Sequence, residues 1–449
     1  MNKRDYQYAL QPDWQSNVLL TKSNASEKGD IRALNLVDKS GFLALDPNEF
    51  TWLLSFSYQS TNKKKQGCIK MHFGDCASQS MDHLQFFEAG EKGTRYLNLS
   101  GFLEETPRSG PLILSSENCQ LPTEAKILGF KKPDFSDGPI LIVAPHADDA
   151  ELAAYGFYHQ HSEQVWITTI NAGQNVQKLE RQYISNLDDS MQDAVSRKAN
   201  IRAWNSMTTP LLAGVKLERL SSLGYFGLTK DGLYNSPNEE QKDSHFPALT
   251  PAISRKWNPL SLPSDATDIS SGQSLIDDLV YLLEHIKPTT VLITEPEVDP
   301  HPEHVMSAHA LALAIEQGEH VPERVLMYVN HLRKIKKFPY GPEHARTALP
   351  PWFSATSLFG QFSCYSYQLE LDMQKEKVVS FDSMHDLRSK SRVGKTIKQW
   401  WNKKVLKNGY QYYADHGYFQ THIKANEVFT FVDGRTFSQS IIQSIDHSI

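Results

Sequence analysis

The sequence predicts an α/β protein: a doubly wound, mostly parallel sheet preceded by a β-rich, sandwich-like N-terminal domain. Three observations carry that prediction. Period-two alternation of large apolar residues, broken at short spacing by turn-forming clusters, fills the chain up to residue 134. From Pro139 onward, short β-branched runs alternate with stretches of helical periodicity. Between the two, KKPDFSDG at 131–138 has the composition of a linker. The division that results is a β-rich domain over 1–134, an α/β domain over 135–385 and a basic extension over 386–449.

In the first domain, Phe50, Trp52, Leu54, Phe56 and Tyr58 alternate with smaller or more polar neighbours, as a strand with one buried face requires, and Ile69, Met71 and Phe73 repeat the pattern. The clusters SEKGD, DKSG, TNKKKQG and EAGEKG between such runs favour an antiparallel arrangement. In the second, ILIVA (140–144) is the apolar run of a buried parallel strand, followed by a helix over Ala150–His161 and the strand QVWITTI. Leu275, Leu279, Leu282 and Ile286 mark one face of a helix, and VLIT supplies a strand after the breaker Pro288. Residues 229–272, polar and containing Pro237, Pro247, Pro251, Pro259 and Pro263, read as irregular chain and a candidate active-site lid.

With 449 residues, 40% of them hydrophobic and 22% charged, the chain has the composition of a globular protein with a large core. A net charge of -6 and a pI near 6.3 argue against nucleic acid as a partner, since neutralising phosphates needs a basic surface. Lys3 and Arg4 are followed by no apolar run, and no apolar stretch is long enough to span a bilayer. Cys68, Cys76, Cys119 and Cys364 show neither a CxxC pair nor metal spacing, so the expectation is a cytoplasmic protein with reduced thiols. A GxSxG elbow, a Walker loop and a GxGxxG turn are all absent from the sequence.

The chemistry concentrates at two strand ends. APHADDAE (144–151) sits where a parallel strand gives way to a helix, the edge at which open α/β sheets build their sites. There His146 and Asp149 are nitrogen and oxygen donors suited to Zn²⁺. The segment EPEVDPHPEHVMSAH (295–309) follows VLIT directly and brings His301 and His304, one helical turn apart. A catalytic zinc keeps three protein ligands and one position for water; His146, Asp149 and His304 fill that quota. Hydrolysis of an amide further needs a base and a group to stabilise the oxyanion, jobs that fit Asp148 and His301.

PHADDAE followed by HPEH resembles the two signature boxes of the PIG-L, or LmbE-like, family of zinc-dependent de-N-acetylases, and the match extends over residues 139–385. The resemblance implies a Rossmann-like sheet, Zn²⁺ on His146, Asp149 and His304, Asp148 as general base, and His301 polarising the carbonyl or protonating the leaving group. It also implies an N-acetylated amino sugar as substrate; the further expectation of a cell-envelope glycoconjugate such as a lipopolysaccharide precursor comes from the basic segment 387–407, which suits a phosphorylated, membrane-held substrate. SRKAN, around Arg197, and FGLTKDG, containing Asp231, are similar to family segments that contact substrate.

Two readings from other classes stand beside this one. The chain is a catalytically silent glycan-binding or scaffold protein of the same fold, or an amidase acting on a thiol or peptide conjugate, because the metal machinery does not itself select acetyl. Taken singly, HxxH reads as surface histidines and HxDD as a helix cap. His309 reads as packed, His159 and His161 as solvated, and Asp188 and Asp189 as surface charge. Finally, residues 387–407 carry Arg388, Lys390, Arg392, Lys395, Lys398, Lys403, Lys404 and Lys407 with no acid, while Val393, Ile397, Trp400 and Trp401 share one helical face. Such a segment either lies on an anionic membrane surface or grips a phosphorylated glycolipid, giving a peripheral station at the inner membrane, or docks on the domain by its apolar face.

Overall fold

The computed structural model describes residues 2–22, 30–34, 45–73, 80–105, 111–173, 182–244, 246–332, 335, 338–354, 357–387, 397, 400–401, 404–405 and 417–446. The chain is mixed α/β and forms two compact units. One comprises Met1–Asp134, Lys334–Lys375 and Gly417–Thr430; the other comprises Phe135–Arg333, Glu376–His416 and Phe431–Ile449.

In the first unit the alternating segments become strands β1 (Trp14–Lys22), β2 (Asp30–Leu34), β3 (Phe50–Ser60), β4 (Gly67–Phe73), β5 (Leu84–Phe87), β6 (Glu91–Asn98), β7 (Leu112–Glu117) and β8 (Glu124–Lys131). They hydrogen-bond in the order β6-β3-β8-β1-β2-β7-β4-β5, every neighbouring pair antiparallel. Trp52, Leu54, Phe56 and Tyr58 of β3 meet Ile69, Met71 and Phe73 of β4 and Leu112 and Leu114 of β7 in one cluster, so the two wings of the sheet share a core. The expectation of a single buried face on β3 needs correction. Leu53, on the opposite face, is fully buried with Tyr96, Leu128 and Phe130 against Ala348, Leu349 and Cys364. A strand covered on both sides loses its polar alternation where the second layer sits.

The second unit holds β9 (Ile140–Ala144), α1 (Asp149–Gln160), β10 (Val165–Asn171), α2 (Met191–Thr208), β11 (Leu220–Tyr225), α3 (Gly272–Ile286), β12 (Thr290–Thr294), α4 (Pro302–Gln317) and β13 (Arg324–Tyr328). These five strands run parallel in the order β11-β10-β9-β12-β13. Every residue of β9 and β12 is buried, as their unbroken apolar and β-branched character demands. Leu275, Leu279, Leu282 and Ile286 form the buried face of α3, which Ser271 caps and Lys287 ends in a left-handed conformation before Pro288. Pro302 at the first position of α4 needs no amide hydrogen there. Chain order reverses between β9 and β12, since β9 is followed by β10 on one side and flanked by β12 on the other. The carboxyl ends of β9 and β12 therefore flank the switch point at which parallel sheets characteristically hold ligands.

Part of the proline-containing stretch is tied down. Arg255 and Ser264 reach the buried Asp278 of α3 at 3.0 and 2.7 Å, and Tyr225 of β11 joins the same carboxylate at 2.7 Å. Cys68, Cys119 and Cys364 are free and buried. Among the described residues no helix is long and apolar enough to cross a membrane. Most of 387–407 lies outside the described residues; Ile397, Trp400, Trp401 and Val405, which are described, are exposed.

Candidate metal centre

The turn after β9 is pinned from the neighbouring strand: the Asn171 backbone and side-chain amides donate to the Pro145 carbonyl at 2.9 and 2.8 Å. Asp148 then takes a left-handed backbone with φ 116°, a strained conformation for a residue with a Cβ, and Asp149 opens α1. The Asp149 carboxylate turns back so that Oδ2 accepts from the His146 backbone amide at 2.9 Å. From the end of β12, the loop 295–301 places His301 at the start of α4 and the buried His304 one turn later.

Three atoms converge. His146 Nδ1, Asp149 Oδ2 and His304 Nε2 form a triangle with all three sides at 3.2 Å. The outward nitrogen of each ring is committed elsewhere, His146 Nε2 to Glu303 at 2.7 Å and His304 Nδ1 to Asp299 at 3.0 Å. With their protons on those nitrogens, the two imidazoles face each other and the carboxylate with lone pairs. Three lone pairs at that spacing repel one another unless a cation lies among them, a proton in the metal-free chain or a metal ion in its place. Tetrahedral bonds of about 2.0–2.1 Å to zinc set ligand atoms about 3.3–3.4 Å apart, so the residues present fit a small divalent ion.

Supporting groups fix the triangle. Asp299 Oδ2 also accepts from the backbone amides of Asn330 and His331 at 3.1 and 3.0 Å, and its Oδ1 from that of His301 at 3.1 Å. The Asn330 side chain donates to Asp149 Oδ1 at 2.9 Å, leaving Oδ2 for the triangle. Such partners orient ligands and raise their basicity.

Electrostatics follow from burial and from these pairs. Burial opposes charge on His304, but the Asp149 and Asp299 carboxylates overcome it and raise its pKa to about 10. His146 is raised in the same way by Asp149 and Glu303 against the effect of burial. Asp149 falls well below the ordinary carboxylate range because His304 and His146 outweigh its burial. Burial pushes Asp148 up to about 6 against the pull of Arg202, and Glu151 up to about 8. Burial, with His304 and His146 beside it, lowers His301 to about 4, and its buried Nδ1 has no hydrogen-bond partner among the described residues.

Of the residues singled out in the sequence, His146, Asp149 and His304 come together, with His301 against both rings at centroid distances of 5.2 and 4.7 Å. Asp148 lies beside them in the chain and faces Arg202 at 3.9 Å. Arg197 is engaged elsewhere, in an ion pair with Asp188 that also ties the Gln182 carbonyl. Asp188 is thus a buried partner, not surface charge. Asp231 accepts from Asn235 at 2.9 Å in the short helix Lys230–Tyr234. Neither Arg197 nor Asp231 contacts the triangle among the described interactions. His309 is packed, its Nδ1 2.8 Å from the Tyr234 hydroxyl. His159 pairs with Glu376 at 3.0 Å, and the His161 ring packs at a tilt against Phe157 and Phe135 and is only partly exposed.

Sequence reasoning missed Asp299, Glu303, Arg202, Asn330 and His331. Arg202 is buried on α2, bonds the Ala147 carbonyl at 3.1 Å and shares Asp386 with Lys198. The signal for Asn330 and His331 was present: RVLMY followed by VNH is a third apolar strand ending in ligand-capable side chains.

No family model matches the chain, and no curated protein does. Among solved structures it is similar to N,N'-diacetylchitobiose deacetylase from Pyrococcus horikoshii, with 13% identity, 67% of this chain and 86% of that one covered, and a TM-score of 0.36. It is also similar to a triple-mutant deacetylase of the teicoplanin biosynthetic pathway, at 16% identity, coverage of 66% and 98%, and a TM-score of 0.33. A third is 4-carboxy-2-hydroxymuconate hydratase from Pseudomonas putida KT2440, at 12% identity, coverage of 65% and 95%, and a TM-score of 0.32. These likenesses are distant and span two reaction types.

Proposed function

We propose that this chain is a zinc-dependent hydrolase that removes the acetyl group from an N-acetylated amino sugar, on a Rossmann-like domain of the PIG-L, or LmbE-like, kind. The observation that supports it is the triangle of His146 Nδ1, Asp149 Oδ2 and His304 Nε2, three acceptors at 3.2 Å with their orienting partners in place. A divalent ion bound there would supply a Lewis acid for an amide carbonyl and its attacking water. Asp148 takes the proton of that water and returns it to the amine nitrogen as the C–N bond breaks, so that acetate and a free amine leave. His301, in the tautomer protonated at its unpartnered Nδ1, donates to the amide oxygen as charge develops there.

The test is metal content together with acetate release from a panel of N-acetylglucosamine conjugates. Chelation abolishes release and zinc restores it, and Asp148→Asn keeps the metal but loses turnover. Protein without bound metal, or release that survives chelation, overturns the proposal. A membrane-held substrate such as a lipopolysaccharide precursor is the part that rests on the basic segment, with its exposed Ile397, Trp400 and Trp401. Salt-sensitive binding to vesicles rich in anionic lipid, lost when Trp400 and Trp401 become alanine, is the result expected.

A further inference from the structure

We propose that His331 is a fourth protein ligand of the ion, joining His146, Asp149 and His304 in a shell that expands beyond four when the reacting water is bound. The inference rests on the metal-site reading above and goes beyond its three ligands. His331 follows β13, the neighbour of β12, so a third strand end delivers a side chain to the site.

Its backbone is locked to the supports of two ligands. The His331 amide donates at 3.0 Å to Asp299 Oδ2, the oxygen that also holds His304 Nδ1. The preceding Asn330 holds Asp149 Oδ1 at 2.9 Å. From that anchor the half-buried ring lies against His304, centroids 4.9 Å apart and planes 34° from parallel. A ring nitrogen of His331, an oxygen of Asp149 and a ring nitrogen of His304 all lie within 4.8 Å of one another. Donors on opposite sides of one ion, with bonds of about 2.1 Å, stand about 4.2 Å apart, so a small side-chain rotation about the fixed backbone completes the approach.

The ring is also available. It makes no side-chain hydrogen bond among the described residues, unlike the packed His309 with its tyrosine partner.

The experiment is titration of the metal-free full chain with Zn²⁺ and with Co²⁺, the wild type beside His331→Ala and the more conservative His331→Gln, with far-UV circular dichroism to establish folding. Expected are about tenfold or more weaker binding of both ions to the variants, and a change in the visible Co²⁺ spectrum that reports coordination. Folded variants with wild-type affinity and an unchanged spectrum overturn the assignment of His331 alone. A wild type that binds neither ion overturns the metal-site reading with it.

Discussion

Asp299 and His304 form a fully enclosed pair in which the carboxylate Oδ2 accepts the imidazole Nδ1 proton at 3.0 Å. That contact decides which nitrogen of His304 faces Asp149. Asp299→Asn keeps one acceptor oxygen, replaces the other by an NH2 group and loses the charge that holds the tautomer. The expected result is metal affinity weakened about 10- to 100-fold with the fold retained, read by chelator competition and circular dichroism. Unchanged affinity contradicts the orienting role.

Asp148 is held at φ 116°, where only glycine is free of strain. Asp148→Gly should therefore raise unfolding stability by about 1 kcal/mol or more while removing the proposed proton acceptor. Denaturant unfolding and acetate release, measured on the same preparation, separate the two effects. A less stable glycine variant shows that the carboxylate contributes more than its backbone costs.

Gly173 also has positive φ, and a Cβ there would collide with the Arg202 guanidinium. Gly173→Ala should destabilise the protein by about 1–3 kcal/mol and reduce turnover, because Arg202 can give way only by leaving the Ala147 carbonyl beside Asp148. Thermal melting together with initial rates checks both; a variant with wild-type melting and rates shows that Arg202 is not needed there.

Lys424 is buried with its amine donating to the Gly341 and Pro342 carbonyls at 2.8 and 2.7 Å. Burial lowers its pKa to about 7, against the opposing charge of Glu343. Above that value the folded chain has released a proton that the unfolded chain still holds, up to the ordinary lysine range. Stability conferred by this group thus rises with pH between about 7 and 10, by at most about 1.4 kcal/mol per pH unit. Lys424→Met removes that slope: wild type minus variant stability should climb across the window and stay flat below it. A flat difference from pH 6 to 10 contradicts the depressed pKa.

What could be read from the sequence was local. The strand runs 140–144 and 290–294 and the buried face of α3 follow from periodicity and β-branching, and the meeting of His146, Asp149 and His304 follows from two boxes at strand ends. What could not be read depends on which strand lies beside which. Asn330 holds Asp149 only because β13 neighbours β12, and β12 neighbours β9. Arg202 stands five residues beyond Arg197, a rotation of about 140° around the helix, so a motif fixed on one says nothing of the face the other occupies. Leu53 looked like the outward residue of an alternating strand because its cover, residues 348–364, comes from a distant part of the chain.

That cover has a bearing on how the protein is made. As synthesis proceeds from the N-terminus, the first 134 residues emerge with Leu53, Leu128 and Phe130 bare on one side of their sheet, long before Ala348, Leu349 and Cys364 arrive. Until those residues are made, the apolar surface they cover favours aggregation of the nascent chain. A fragment cut at the linker carries the same bare surface permanently and should be insoluble, whatever the merits of the linker as a boundary on paper.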